Sequence, residues 1–149
     1  MCLMPGILLP LPCCCGCPCA SDDVTATITW IGICGTCPDP SGDYLLDNFT
    51  SYPEADEPYC SWILTCVGTA YSLTIYYYPN LACWCAWLST GFFAFSAADC
   101  GACGGVGFMQ DVRADIACVA GQLEGTWDMP GVFSPFFDCA GCTATVTLT

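Results

Sequence analysis

The sequence contains no lysine and no histidine, and its only basic residue is Arg113, set against fourteen acidic residues for a formal net charge of -13. Each absence removes a class of chemistry. Without lysine there is no amine nucleophile, no Schiff base and no phosphate-gripping lysine, and without histidine the commonest general base and metal ligand are missing. Serine, threonine and cysteine therefore have no imidazole partner, which excludes the usual triads, and no catalytic residue is assigned. A polyanion is repelled by phosphates, so neither nucleic acid nor an anionic membrane surface is an expected partner. Long hydrophobic runs are also scarce. Stretches such as Ile7-Leu8-Leu9 and Phe92-Phe93-Ala94-Phe95 fall far short of the roughly 20 apolar residues of a membrane-spanning helix, so no membrane insertion is expected. No segment shows helical periodicity with caps.

What the chain has in excess is cysteine: 17 in 149 residues, a density at which a disulfide or metal scaffold becomes the leading explanation. Cys13-Cys14-Cys15-Gly16-Cys17-Pro18-Cys19 is too crowded with sulfur for a helix or strand and reads as an anchor knot, part of an N-terminal arm over residues 1–23. The disulfide candidates are Cys13, Cys14, Cys15, Cys17, Cys19, Cys34, Cys37, Cys60, Cys66, Cys83, Cys85, Cys100, Cys103, Cys118, Cys139 and Cys142. Pairing does not follow from sequence alone. One economical arrangement links Cys13 to Cys19 with Cys34/Cys37 and Cys139/Cys142, making the first and last ribbons neighbours. The odd total requires one sulfur to be free, metal-bound or joined to another chain, and Cys2, isolated ahead of the knot, is the candidate. Three Cys-x-x-Cys pairs, Cys34/Cys37, Cys100/Cys103 and Cys139/Cys142, are the alternative: two such knuckles in contact would form a four-sulfur zinc site. Disulfides explain more of the sulfur, and no cofactor or metal is expected.

The hydrophobic pattern has a period of two. Val24 to Ile33 alternates threonine with Val, Ala, Ile and Trp, and Thr143 to Thr149 repeats the alternation at the other end, as strands with one buried face do. Tyr59–Val67, Tyr71–Tyr78, Ala82–Leu88 and Gly91–Ser96 are rich in aromatic and β-branched residues and are separated by Gly68-Thr69-Ala70 and Pro79-Asn80; they read as a meander. Two more strands are expected near Ala114–Ala120 and Gly121–Trp127. Gly35–Asp43 is a loop, Tyr44–Glu57 reads as acidic and irregular, and Met129–Asp138 as a Pro/Phe-rich loop. The sum is one all-β domain over residues 1–149, a disulfide-stapled β-sandwich or jelly roll of about eight short strands with little or no helix.

Other constellations have plainer explanations. Asp39, Ser41 and Asp43 match no EF-hand spacing and read as a polar turn. Glu54, Asp56 and Glu57 share one loop, while Glu124 and Asp128 flank Trp127, an arrangement seen in sugar sites, but solvated acids on a polyanion account for it more simply. Arg113 is expected to pair with Asp111, Asp115 or a neighbouring subunit.

The leading cysteine cluster, the strand Thr25-Ala26-Thr27-Ile28-Thr29-Trp30 running to Gly32-Ile33-Cys34, the Trp/Tyr/Cys strands and the closing Cys139-Ala140-Gly141-Cys142-Thr143-Ala144-Thr145-Val146-Thr147 ribbon resemble the cysteine-rich β modules of planctomycetes and aquatic tailed phages. The resemblance covers nearly the whole chain at the level of pattern and implies a structural or surface-display role. The N-terminal stretch has no basic region and is broken by Pro5, Pro10 and Pro12, unlike a secretory signal, which favours a virion component released by lysis over an exported surface protein. The expected function is that of a non-enzymatic structural protein, a capsid cement, decoration or fibre subunit. Its expected partners are other structural subunits, in homo-oligomers or filaments formed through the edges of Val24–Trp30 or Thr143–Thr149. The alternative is an extracellular or cell-surface lectin-like module with Trp84, Trp87 or Trp127 as its sugar platform.

Overall fold

The structure, a computed structural model, describes residues 17–19, 24–32, 38–90, 94–98, 108–109, 115–131 and 138–149. Among them no helix occurs. Ten strands form: β1 (Thr25–Gly32), β2 (Gly42–Tyr52), β3 (Tyr59–Cys66), β4 (Ser72–Tyr78), β5 (Cys83–Ser89), β6 (Ala94–Ala98), β7 (Phe108–Met109), β8 (Ile116–Val119), β9 (Gln122–Pro130) and β10 (Cys142–Leu148). They make one sheet in the order β7-β6-β5-β4-β3-β2-β1-β10-β9-β8, antiparallel throughout except for the parallel β6–β7 pair. The all-β, disulfide-stapled character expected from composition is what the chain adopts. Its sandwich is made by one continuous ladder that turns back on itself, bringing β6 against β9.

Alternation explains why the ladder has an inside. In β1, Ala26 and Ile28 are buried while Thr25, Thr27 and Thr29 are exposed, and in β10 Ala144, Val146 and Leu148 are buried between half-buried threonines. Leu123, Trp127 and Met129 continue the same face on β9, as do Trp62 and Leu64 on β3, Leu73 and Ile75 on β4, and Trp84, Ala86 and Leu88 on β5. These side chains form one core. Within it Phe49, Trp62, Trp84 and Tyr77 stand in a file, with ring centroids 5.1, 5.7 and 4.6 Å apart in turn, each ring adding a large apolar area.

The first and last ribbons are neighbours, as expected: Ala26 pairs with Leu148 and Trp30 with Ala144. Hydrogen bonds in both directions between Thr25 and Thr149 prolong the pairing. Neither ribbon is an edge, however. β1 is bonded to β2 and β10, and β10 to β1 and β9. Their N–H and C=O groups are consumed inside the sheet, so assembly through the edges of these two segments is ruled out.

Residues 44–57, expected to be irregular, contain most of β2. The reason is a bulge. Tyr44 and Leu46 oppose Cys66 and Leu64, but Asp47 is skipped in the register, so Asn48 opposes Ile63 and Phe49 opposes Trp62. One extra residue moves the inward positions from even to odd numbers and erases the period-two signature.

The β8–β9 connection is a two-residue turn, Ala120-Gly121, between paired Val119 and Gln122. Both turn residues have positive φ, 51° and 81°, the conformation of a tight hairpin in which Ala120 is strained by its Cβ. Replacing Ala120 by Asn is expected to raise stability by about 0.5–1 kcal/mol. Deleting Asp47 is expected to remove the bulge while leaving Phe49 opposite Trp62 and facing inward, so the denaturant midpoint should move by no more than about 1 kcal/mol equivalent.

Candidate functional site

Residues 17 and 19 hold the two described staples. Cys17 is bonded to Cys60 at the start of β3, and Cys19 to Cys118 on β8. Cys60 belongs to the core and Cys118 lies opposite buried Leu123, so both staples reach the concave face, where Cys17 and Cys19 pack against the core. For Cys17 and Cys19 these partners differ from the ribbon cysteines expected. Cys83, Cys85, Cys139 and Cys142 are also disulfide-bonded and almost fully buried. For Cys139 and Cys142 this removes the thiolates a zinc knuckle requires. Cys2, Cys13, Cys14, Cys15, Cys34, Cys37, Cys100 and Cys103, with Arg113, lie outside the described residues. Among the described residues no three His, Cys, Asp or Glu side chains converge on a point that would hold a metal.

Cys66, expected to be bridged, is a free buried thiol. Cys66 lies opposite Tyr44 across β2 and β3, and Gly42 leaves the space it needs: a Cβ on Gly42, whose φ is +152°, would lie 2.7 Å from the Cys66 sulfur. The Tyr44 hydroxyl donates to the Pro40 carbonyl at 2.7 Å. Burial, reinforced by Cys66 beside it, holds the Tyr44 phenol well above its usual value.

The acidic constellations are taken up by the sheet. Asp39 accepts the Ser41 N–H at 2.9 Å, Ser41 accepts the Trp30 N–H at 2.9 Å, and Asp43 accepts the Thr27 hydroxyl at 3.1 Å. The three side chains thus brace a turn and a strand pair, as a polar turn would. Asp128 accepts the Thr145 hydroxyl at 2.7 Å on the outer face, while Trp127 points into the core and is 3% exposed. Glu124 and Asp128 therefore do not frame an aromatic ring. Trp84, 7% exposed, is likewise a core residue, and of the three proposed platform tryptophans only Trp87 is half-buried. A shallow depression of about 660 Å³ lies beside the β8–β9 hairpin, bordered by Asp115, Glu124, Thr126 and Thr149.

Among the described residues, four tyrosines gather into an aromatic surface. Tyr52 of β2 stacks on Tyr59 of β3, with centroids 4.5 Å apart. Tyr59 also meets Tyr76 at 5.9 Å and Tyr78 at 5.8 Å, both on β4. All four are half-buried or exposed and stand on the outer face, opposite the face of Trp62 and Ile75. Residues 53–58 connect β2 to β3 at this end, with Glu54, Asp56 and Glu57 exposed. Burial raises the phenols of Tyr76 and Tyr78 above their usual value, followed by neighbouring tyrosines in both cases and, for Tyr78, by Glu57 as well. The Tyr76 and Tyr78 hydroxyls therefore remain neutral at ordinary pH. Two sequence signals hinted at the cluster, the Tyr76-Tyr77-Tyr78 run and its neighbour Tyr59, but the strand register that gathers them is not written in either.

Because Tyr44 is held protonated, it favours the folded state below the unfolded phenol value near 10, and that contribution is lost as pH rises above it. In a Cys66→Ala background, which removes thiol exchange, Tyr44→Phe is expected to cost about 1 kcal/mol near neutrality through the lost Pro40 hydrogen bond. It should also flatten the decline in denaturant midpoint between about pH 10 and 11. In the unmodified protein, Cys66 should resist iodoacetamide under native conditions and react after denaturation without reductant, as read by peptide mapping.

Compared with protein-family models, with curated proteins and with solved structures, the chain matches none.

Proposed function

We propose that the chain is a non-enzymatic structural subunit of a virus particle or comparable extracellular assembly, serving as a cement, decoration or fibre protein. The observation that carries this reading is the placement of the staples: adjacent anchors at Cys17 and Cys19 fasten strands β3 and β8, which are five places apart in the sheet. Cross-links that restrict the unfolded chain suit a protein that must last outside the cell, where damaged molecules are not replaced. The outer surface fits the same role. It offers threonine rows, carboxylates and a tyrosine patch, with acidic side chains engaged by strand neighbours, and a net charge of -13 keeps free subunits apart until a basic surface receives them.

The test is fractionation. Material released by lysis of the source cells is run on a density gradient and followed with an antibody against the chain. Co-migration with particles, and immunogold label on their surface, are the expected results; antigen confined to the free soluble fraction would overturn the reading. For the staples, Cys17→Ser together with Cys60→Ser is expected to lower stability by about 4 kcal/mol, the loop-entropy value for a closure of this length. Thermal melts with and without reductant should reproduce the direction of the loss.

A further inference from the structure

We infer that the outer tyrosine face formed by Tyr52, Tyr59, Tyr76 and Tyr78, with Glu57 at its rim, is a docking site for an arginine- or lysine-bearing segment of a partner protein. The inference rests on the structural-subunit reading and names the surface through which such a subunit engages its neighbour.

The geometry comes first. Four rings from three adjacent strands touch through Tyr59, with centroids 4.5 to 5.9 Å apart. They form a continuous patch on the face that does not contribute to the core, and Tyr52 is 41% exposed. Neutral phenol rings present negative π faces, over which a guanidinium or ammonium is attracted and along which a guanidinium stacks. The carboxylate at the rim of the patch completes the match, because a guanidinium on a ring can also engage a carboxylate through two N–H donors.

Charge selects the occupant. A second copy of the chain brings the same excess of acid and a single arginine, so like charge opposes self-docking on this face. A basic segment has the complementary sign and supplies the groups that both the rings and the acids prefer.

The experiment uses the full oxidised chain and two peptides of equal length, one rich in arginine and one with glutamine in place of each arginine, titrated by calorimetry at two salt concentrations. The arginine peptide is expected to bind and the glutamine peptide to fail. Tyr52→Ala, which alters the most exposed ring, and Glu57→Gln should each weaken binding about fivefold. Asp115→Asn and Glu124→Gln, which remove the same charge at the β8–β9 hairpin, should leave it within about twofold. Tyr59→Phe keeps the ring and should bind like the parent. Equal weakening by all the charge changes would overturn the site in favour of unspecific attraction to a polyanion. Full binding by Tyr52→Ala, or binding of a neutral oligosaccharide instead of the arginine peptide, would overturn it as well. Particle association that survives Tyr52→Ala with Glu57→Gln would sink this site but leave the structural reading standing. Localised peptide binding by a chain that never accompanies particles would do the reverse.

Discussion

The constraint on which the rest of this fold depends is the length of chain between Cys17 and Cys19. Two residues span at most about 7 Å, and the disulfides add Cα–Cα separations of 5.8 and 5.7 Å, so Cys60 and Cys118 cannot lie more than about 19 Å apart. Their strands are separated by five lateral steps, which in a flat sheet would amount to about 24 Å. The sheet must therefore curve, toward the side from which the sulfurs reach. Curvature is also what its side chains require. A ladder with Ile28, Trp62, Leu73 and Val146 on one face would leave that face wet if it stayed open, and turning it inward gathers these side chains into one core and brings β6 against β9. Hydrophobic burial and covalent closure thus act in the same direction, the agreement between levels expected of a sequence that specifies one fold.

How much of this could be read in advance follows from what each signal depends on. Alternation over Val24–Ile33 and Thr143–Thr149 is local, and both ribbons form where it placed them. The β2 strand was hidden because one skipped residue, Asp47, reverses the phase between Leu46 and Phe49, and such a bulge leaves no mark in composition. Alternation set Trp84 apart from Cys83 and Cys85 but did not say which side was inward; that was decided by Trp62 and Tyr77 on neighbouring strands. With the strand expected to end at Trp127 and Met129 placed in the following loop, the phase that Trp127 shares with Leu123 and Met129 was cut short, and its ring was offered as a surface platform. That the threonine ribbons are not edges is beyond the reach of alternation, because an edge is defined by unpaired backbone, which the side chains do not report. The tyrosine patch depends on register across three strands and was the least accessible to sequence.

Sulfur serves two purposes in this molecule. Bridged cysteines fix distances between parts of the chain that the ladder alone would leave adjustable, whereas Cys66 fills space in the core as a small apolar group. Its surroundings are correspondingly specific. Gly42 yields the volume, Tyr44 covers the thiol and is itself tied to Pro40, and the β2–β3 pairing keeps all of them in line. Because disulfides exchange through attack by a thiolate, burying the Cys66 thiol also keeps it away from the bridges.

The staples at Cys17 and Cys19 also determine how the molecule carries a mechanical load. Tension applied at Cys17 passes through a covalent bond into β3, and tension at Cys19 into β8, before it can reach β1. The seam between β1 and β10 is antiparallel, with Thr25 beside Thr149, so force applied across that end would open its hydrogen bonds one after another. Routing the pull through sulfur delivers it to β3 in the middle of the sheet and to β8 at its edge before it reaches this seam.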